Sequence, residues 1–253
     1  MIKLKYKIYS FEKLESTNDK AKEIARDEKE GTVIIAKEQT KGRGRLGRTW
    51  HSPRGKSILM SIILKPNMEP KDMQKIVLIG AAAVNMALKD IGIESQIKWP
   101  NDIIVQGKKV CGILTEMSSN FNGLNYVIIG IGINVNQDIE DIPKELKEKS
   151  TSLKLIKNKE IHKEELLQIL LNRFKELYMP FKNHGDIKGV IDICGKNSAI
   201  IGKNILVIQG DNIRKGKALD INMEGELLVE FSEGIERVYS GEVSIRGLEG
   251  YID

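Results

Sequence analysis

The sequence predicts an α+β fold, a mixed sheet flanked by helices and followed by a separate small β-barrel. Three observations carry this. Short apolar runs joined by tight turns between residues 96 and 135 form a meander, which makes the sheet at least partly antiparallel. Two longer segments, 72–90 and 164–178, repeat apolar residues at helical spacing. From Gly195 onward the pattern changes to short, closely spaced strands broken by Gly202, Gly210, Gly216, Gly225, Gly234 and Gly241, as in a small barrel. The boundary is accordingly set between a large domain, 1–194, and a small one, 195–253.

In chain order, residues 3–12 read as an opening strand. Ser16-Thr17-Asn18-Asp19 then supply an N-cap, and Ala21, Ile24 and Ala25 share one face of a helix that ends near Gly31. The β-branched run 32–38 is a strand, and the basic, glycine-rich stretch after it is loop-like, with Pro53 and Gly55 near its end. Residues 57–64 (SILMSIIL) are apolar almost throughout, as in a strand buried on both faces. Segment 72–90 is the clearest helix: Ile76, Ile79, Ala83 and Ala87 form one stripe, and Gly92 stops it. Strands at 96–99 and 103–105 are joined by Pro100-Asn101-Asp102, and Gln106-Gly107-Lys108 turns the chain into a strand at 110–117. Asn122-Gly123 is a further hairpin signal before the strand at 126–135. Residues 138–160 are polar and irregular, and in the helix 164–178 Leu166, Leu167, Leu170, Leu171 and Phe174 face inward.

Composition narrows the functional classes. With 41% hydrophobic and 30% charged residues over 253 positions, the chain is that of a globular protein able to bury a core without metals or disulfides. No apolar run approaches the roughly 18 residues of a membrane span. The N-terminus, MIKLKYKIYS, lacks the apolar core of a secretory signal, so a cytoplasmic protein with no membrane partner is expected. Two cysteines, Cys111 and Cys194, and three scattered histidines provide no zinc-site spacing, and no residue is assigned as a metal ligand.

The net charge of +5 invites a nucleic-acid reading, but its distribution is uneven. Residues 37–56 carry seven basic groups and one acidic, a local +6, while the remainder sums to −1. Inside that stretch GRGRLG, residues 42–47, matches a dinucleotide-binding glycine pattern. That pattern works only where a helix begins in the loop, and Arg48-Thr49-Trp50-His51-Ser52-Pro53 cannot begin one. The glycines let backbone approach a ligand, and Arg43, Arg45 and Arg48 present planar forks suited to carboxylate or phosphate. A solvated basic loop or a nucleic-acid-binding tail would read the same way in isolation. Two further segments stand out. Lys98-Trp99-Pro100-Asn101-Asp102 sets a polar pair in a proline turn, and Lys109 opens the apolar strand VCGIL, as a pocket wall or a lysine reaching for water. Gly130-Ile131-Gly132-Ile133-Asn134-Val135 ends a buried strand on an asparagine, which fits a ligand contact or close packing plus a turn.

Together these segments resemble a known family. STN at 16–18, QTKGRGRLGRTW at 39–50, KWPND at 98–102, KVCGIL at 109–114 and GIGINV at 130–135 occur in the order and spacing of biotin protein ligases, a likeness that covers residues 5–250. The resemblance implies a class II synthetase-like catalytic domain with a C-terminal SH3-like barrel. It implies that ATP activates biotin as biotinyl-5′-AMP, with Mg2+, before transfer to a lysine of a biotin carboxyl carrier protein. Many members carry an N-terminal helix-turn-helix; this sequence opens on the catalytic segment, so no DNA partner is expected, and a homodimer is expected from the family alone. Carried over by position, Ser16, Thr17, Asn18, Gln39, Arg43, Gly44, Arg45, Lys109 and Gly112 look like the biotin set. Arg48, Trp50, Lys98, Asn101, Asp102 and Asn134 look like the ATP set, with Trp50 covering the adenine. Lys109 and Arg45 are the catalytic candidates, Lys109 at the α-phosphate and carbonyl oxygen and Arg45 at the biotin carboxylate or the adenylate phosphate. Cys111 stands where the family has a small alanine; a buried cysteine behaves as a small hydrophobe.

Two alternatives remain. A lipoate–protein ligase shares the adenylate logic, but GRGRLGRTW stands where its arginine–glycine stretch leads to valine–histidine. A basic nucleic-acid-binding protein would spread its cations along a face with aromatics between them.

Overall fold

The structure is a computed structural model that describes residues 4–120, 123–241, 243–248, 250 and 251. A seven-stranded mixed sheet contains β1 (Lys7–Phe11), β2 (Thr32–Ala36), β3 (Ser57–Leu64), β4 (Gln96–Lys98), β5 (Asp102–Val105), β6 (Lys108–Asn120) and β7 (Gly123–Asn134). Its order is β1-β2-β3-β7-β6-β5-β4, with β1 and β2 parallel and every other pair antiparallel. The meander expected from the sequence is therefore the half of the sheet running from β7 to β4. All eight residues of β3 are buried, because the strand is central and covered on both faces. Gln106 and Gly107 both take positive φ, the conformation of a two-residue hairpin turn, and return β5 into β6. Asn122, half of the other hairpin signal, lies outside the described residues, though β6 and β7 pair as far as Asn120 and Gly123.

Helix α1 (Thr17–Ile24) starts where expected, its N-cap Ser16 Oγ accepting from Asp19 N at 3.4 Å. It packs through Ala21 and Ala25 on Ile34, Ile63 and Ile128. Helix α2 (Met73–Asp90) supplies the main core and packs on α4 (Lys163–His184) and on the β4–β7 half of the sheet. Helix α4 outruns its expected end at residue 178 and passes through Pro180, because Phe181 beyond the proline is still buried and Gly185 in the left-handed region closes the helix. A short α3 (Leu153–Lys157), capped by Ser152, interrupts the stretch expected to be irregular. Helix α5 (Lys188–Lys196) was absent from the sequence expectation, although Val190, Ile191 and Cys194 mark one buried face.

The C-terminal strands β8 (Asn204–Gln209), β9 (Asn212–Ile221), β10 (Leu227–Phe231), β11 (Gly234–Val238) and β12 (Val243–Arg246) form one antiparallel sheet, ordered β11-β10-β9-β8-β12. Among the described residues β11 and β12 do not pair with each other, so the expected barrel is an open sheet. The principal hydrophobic cluster runs from α2 through Cys194 of α5 to Ala218, Leu227 and Val229 of this sheet. Trp99 Nε1, fully buried, donates to Gly225 O at 3.0 Å across the same junction.

Candidate active site

Two adjoining recesses open beside the ends of β5, β6 and β7. Strands β3, β6 and β7 floor the first, and the start of α1, Gln39 and the basic loop wall it. The second lies between the basic loop, the β4–β5 turn, residues 141–150 and the C-terminal β12 with Tyr251. Every member of the first expected set, Ser16, Thr17, Asn18, Gln39, Arg43, Gly44, Arg45, Lys109 and Gly112, lines the first recess. Every member of the second, Arg48, Trp50, Lys98, Asn101, Asp102 and Asn134, lines the second. Arg45 and Lys109 line both, as do Gly44, Trp50 and Asn101.

The basic loop is a small hairpin and starts no α-helix. Gly44 N donates to Arg48 O at 2.7 Å and Trp50 N to Gly42 O at 2.9 Å, with Leu46 and Gly47 at the tip in the left-handed region. Leu46 holds that conformation with a Cβ, a strained arrangement typical of ligand-gripping loops. The hairpin delivers Trp50 onto a glycine floor. Gly112 and Gly132 face each other across β6 and β7, and a Cβ on either would lie 2.9 or 2.8 Å from indole carbons of Trp50. Trp50, expected over the second recess, thus rests on the floor of the first while lining both, and its buried Nε1 has no hydrogen-bond partner.

The far end of the first recess is polar and already ordered. Gln39 Oε1 accepts from Thr17 N at 2.6 Å and from Thr17 Oγ1 at 2.9 Å. Buried Ser61 donates to Asn18 Oδ1 at 2.6 Å and lies 2.8 Å from Thr17 Oγ1. Asn18 Nδ2 donates to Glu116 Oε2 at 2.8 Å, and the missing side chain of Gly130 leaves room for this amide. Glu116 also pairs with Lys22 at 2.9 Å and Arg43 at 3.4 Å, while Arg43 reaches Asp19 at 2.5 Å.

At the junction, Arg45 Nη1 donates to Asn101 Oδ1 at 2.9 Å, and its Nη2 donates to Val243 O at 3.0 Å and to Ser240 O. One guanidinium therefore ties the loop to the β4–β5 turn and to the C-terminal sheet. Burial lowers the Arg45 pKa, opposed by Asp102. Lys109 Nζ lies 2.5 Å from Asp102 Oδ1, and the other carboxylate oxygen accepts from the Tyr251 hydroxyl. Burial pushes Asp102 up, but Lys109, Tyr251 and Lys98 together hold it below the usual carboxylate range. Lys98, 4% exposed, stands over the Tyr251 ring at 3.4 Å, and burial lowers its pKa to about 7 against the pull of Asp102. Asn134 is tied to the wall of the second recess, donating to Thr151 O at 3.1 Å and accepting from Gln137 Nε2 at 3.1 Å.

Sequence reasoning missed Ser61, Glu116, Tyr251 and Arg246, along with the apolar wall of Ile142, Pro143 and Leu146 in the second recess. Glu116 follows the KVCGIL segment by two residues and was findable as a lone acid on an apolar strand; Tyr251 carried no signal of its own.

Comparison with known proteins identifies the family. The model of the biotin/lipoate A/B protein ligase family matches residues 10–134, and that of the biotin protein ligase C-terminal domain matches residues 200–246. The bifunctional ligase/repressor BirA of Bacillus subtilis is 40% identical over 235 residues, covering 92% of this chain and 72% of that one. The biotin–[acetyl-CoA-carboxylase] ligase of Paracoccus denitrificans is 35% identical over 124 residues, 48% of this chain and 51% of that one. Among solved structures, a biotin protein ligase from Aquifex aeolicus in complex with biotin and ATP superposes with a TM-score of 0.82 at 33% identity, over 94% of this chain and 98% of that one.

Proposed function

The chain belongs to the biotin protein ligase family, and from that premise we propose that it activates biotin with ATP as biotinyl-5′-AMP and transfers the biotinyl group to a specific lysine of a biotin carboxyl carrier protein. One observation carries the reading: two recesses of different character share Arg45 and Lys109. The first ends in the ordered set of Ser16, Thr17, Asn18 and Gln39 and is walled by Leu59, Met60 and Ile131, which suits a small ring with a urea head and an apolar tail. The second gathers Arg48, Lys98 and Lys109 with the apolar wall of Ile142, Pro143 and Leu146, which suits a triphosphate and a base. The shared pair marks the meeting point of carboxylate and α-phosphate.

A biotin carboxylate oxygen attacks the α-phosphorus of ATP, the bond to the bridging oxygen breaks, and pyrophosphate leaves. The neutral amine of the acceptor lysine then attacks the carbonyl carbon of the mixed anhydride, and AMP leaves. Both nucleophiles belong to substrates, so the chain supplies position and charge. Lys109, anchored on Asp102, neutralises charge building on the α-phosphate and the carbonyl oxygen. Ser16, Thr17, Asn18 and Gln39 hold the urea head, Gly112 leaves space for the tail, and Arg43 and Gly44 close over it. Arg45 fixes the loop beside the carboxylate. Arg48 and Lys98 meet the outer phosphates, while Trp50, Asn101 and Asn134 border the nucleoside.

Mg2+, the usual companion of ATP, neutralises charge on the phosphates when bound. Among the described residues no group of three or more His, Cys, Asp or Glu could hold a metal ion. The two carboxylates of the second recess, Asp102 and Asp141, are both paired with lysines. The ion would accordingly be held by the triphosphate and water, with Asp102 the protein oxygen at hand. The homodimer rests on the family resemblance alone, and the cytoplasmic location on the sequence expectation stated above; among the described residues no helix is long and apolar enough to cross a membrane.

The polar end also separates biotin from lipoate. A urea head offers donors and an acceptor to the polar end formed by Ser16, Thr17, Asn18 and Gln39, whereas a dithiolane ring offers that end no hydrogen-bonding group, a difference sites of this kind discriminate strongly. Exchange of labelled pyrophosphate into ATP tests this: biotin should drive it, and excess lipoate should leave it unchanged. Exchange driven by lipoate alone would overturn the assignment.

A further inference from the structure

Tyr251 lies five residues beyond the last strand, yet its side chain returns to the lysines of the candidate active site. Its hydroxyl donates to Asp102 Oδ2, while Lys109 Nζ meets Oδ1 of the same carboxylate at 2.5 Å. Its ring carries Lys98 at 3.4 Å on one side and Arg246 at 5.1 Å. Filling the gap beneath those cations needs only the ring. The hydroxyl adds something a ring does not: a donor on the second oxygen, so that the carboxylate is fixed in rotation and Lys109 with it. Asp102 sits at the head of β5 and Lys109 near the start of β6, so the orientation of this one carboxylate sets where the ammonium stands between the recesses.

We propose that Tyr251 is a positioning residue for adenylation, acting through Asp102 to hold Lys109 at the junction of the two recesses. The inference rests on the functional reading above. It assigns Tyr251 a part in the chemistry that goes beyond lining the second recess.

The test is Tyr251→Phe, which keeps the ring and removes the hydroxyl. In biotin-dependent ATP–pyrophosphate exchange its kcat should fall about tenfold, the order expected for one hydrogen bond to a charged group, with KM for ATP and biotin held within about twofold. The melting temperature should not move. Single-turnover adenylate formation in an Asp102→Asn background is the second measurement: there Tyr251→Phe should cost less than about twofold, because the two residues act as one unit. A kcat that is unchanged or raised, a loss confined to KM, or a full further loss in the Asp102→Asn background overturns the proposal. If the unaltered chain shows no biotin-dependent exchange, the functional reading falls and this inference with it. If the unaltered chain exchanges and Tyr251→Phe matches it, this inference alone falls.

Discussion

Lys109 and Asp102 form an ion pair at 2.5 Å in which the lysine side chain is 24% exposed and the carboxylate 14%. A pair this sheltered is poor evidence for stability, since desolvation offsets most of the attraction, but it holds a charge in one place. That is what a reaction between two substrate groups asks of a protein. Lys109→Ala should lower biotin-dependent exchange by about two to three orders of magnitude, in line with loss of a preorganised charge. Circular dichroism should stay native, because Tyr251 and Lys98 still answer the carboxylate. Near-normal turnover would remove Lys109 from the catalytic role.

Arg45→Ala should separate formation of the intermediate from its retention. The guanidinium joins Asn101 to the carbonyls of Ser240 and Val243, so its loss frees the basic hairpin from both neighbours. Adenylate formation should drop by about tenfold or more, and what forms should escape and label lysines of bystander proteins. ATP–pyrophosphate exchange measures the first effect, and filter retention of labelled biotinyl-AMP together with blotting of an added inert protein measures the second. Unchanged retention would show that the clasp does not close the site.

Gly132→Ala should act through Trp50. The new methyl group would meet the indole at 2.8 to 3.0 Å, so the ring must lift from its floor. KM for biotin should rise about tenfold, and the Trp50 emission should change while Trp99, buried and bonded to Gly225 O, stays constant. Unaltered KM and emission would mean that the hairpin absorbs the change.

Lys98 gives the site a pH dependence near neutrality. Its pKa is lowered to about 7, chiefly by burial, so the free protein carries this charge below that pH and loses it above. A triphosphate favours the charged form, and binding above neutrality must therefore take up a proton. KM for ATP should rise as pH climbs from about 6.5 to 8.5, by at most tenfold per unit. Lys98→Met should bind ATP weakly at every pH and lose that slope. A slope that persists in the variant would assign it to another group.

Much of this site was legible because its chemistry is written in short segments. Glycines where ring and amide approach the floor, arginines on a loop and lysines at strand ends are local signals, and all fifteen residues that the family resemblance carried over line one recess or the other. The unread parts depend on contacts remote in sequence. Ser61 looks like one polar residue in an apolar strand until Asn18 is brought against it. Pro180 reads as a helix stop, and only the burial of Phe181 shows why α4 continues. Helix α5 has nine residues with Gly189 and Gly195 among them, too weak a pattern to compete with the strand signals that follow. Closure of the C-terminal sheet was over-read, because alternating strands and glycines specify hairpins without specifying whether the first and last strands meet.

The hydrophobic cluster that passes from α2 through α5 into the C-terminal sheet couples the two halves of the chain energetically. Removing the sheet would uncover Trp99 and strip Gln74 Nε2 of its bond to Glu224 O, besides opening the core beneath α5. The two halves are expected to denature as one cooperative unit, in a single calorimetric transition. Slow amide exchange should then reach from β7 into β9 with no weak seam between them. Damage anywhere in the C-terminal sheet would be felt as a loss of the whole enzyme's lifetime, ahead of any defect in its chemistry.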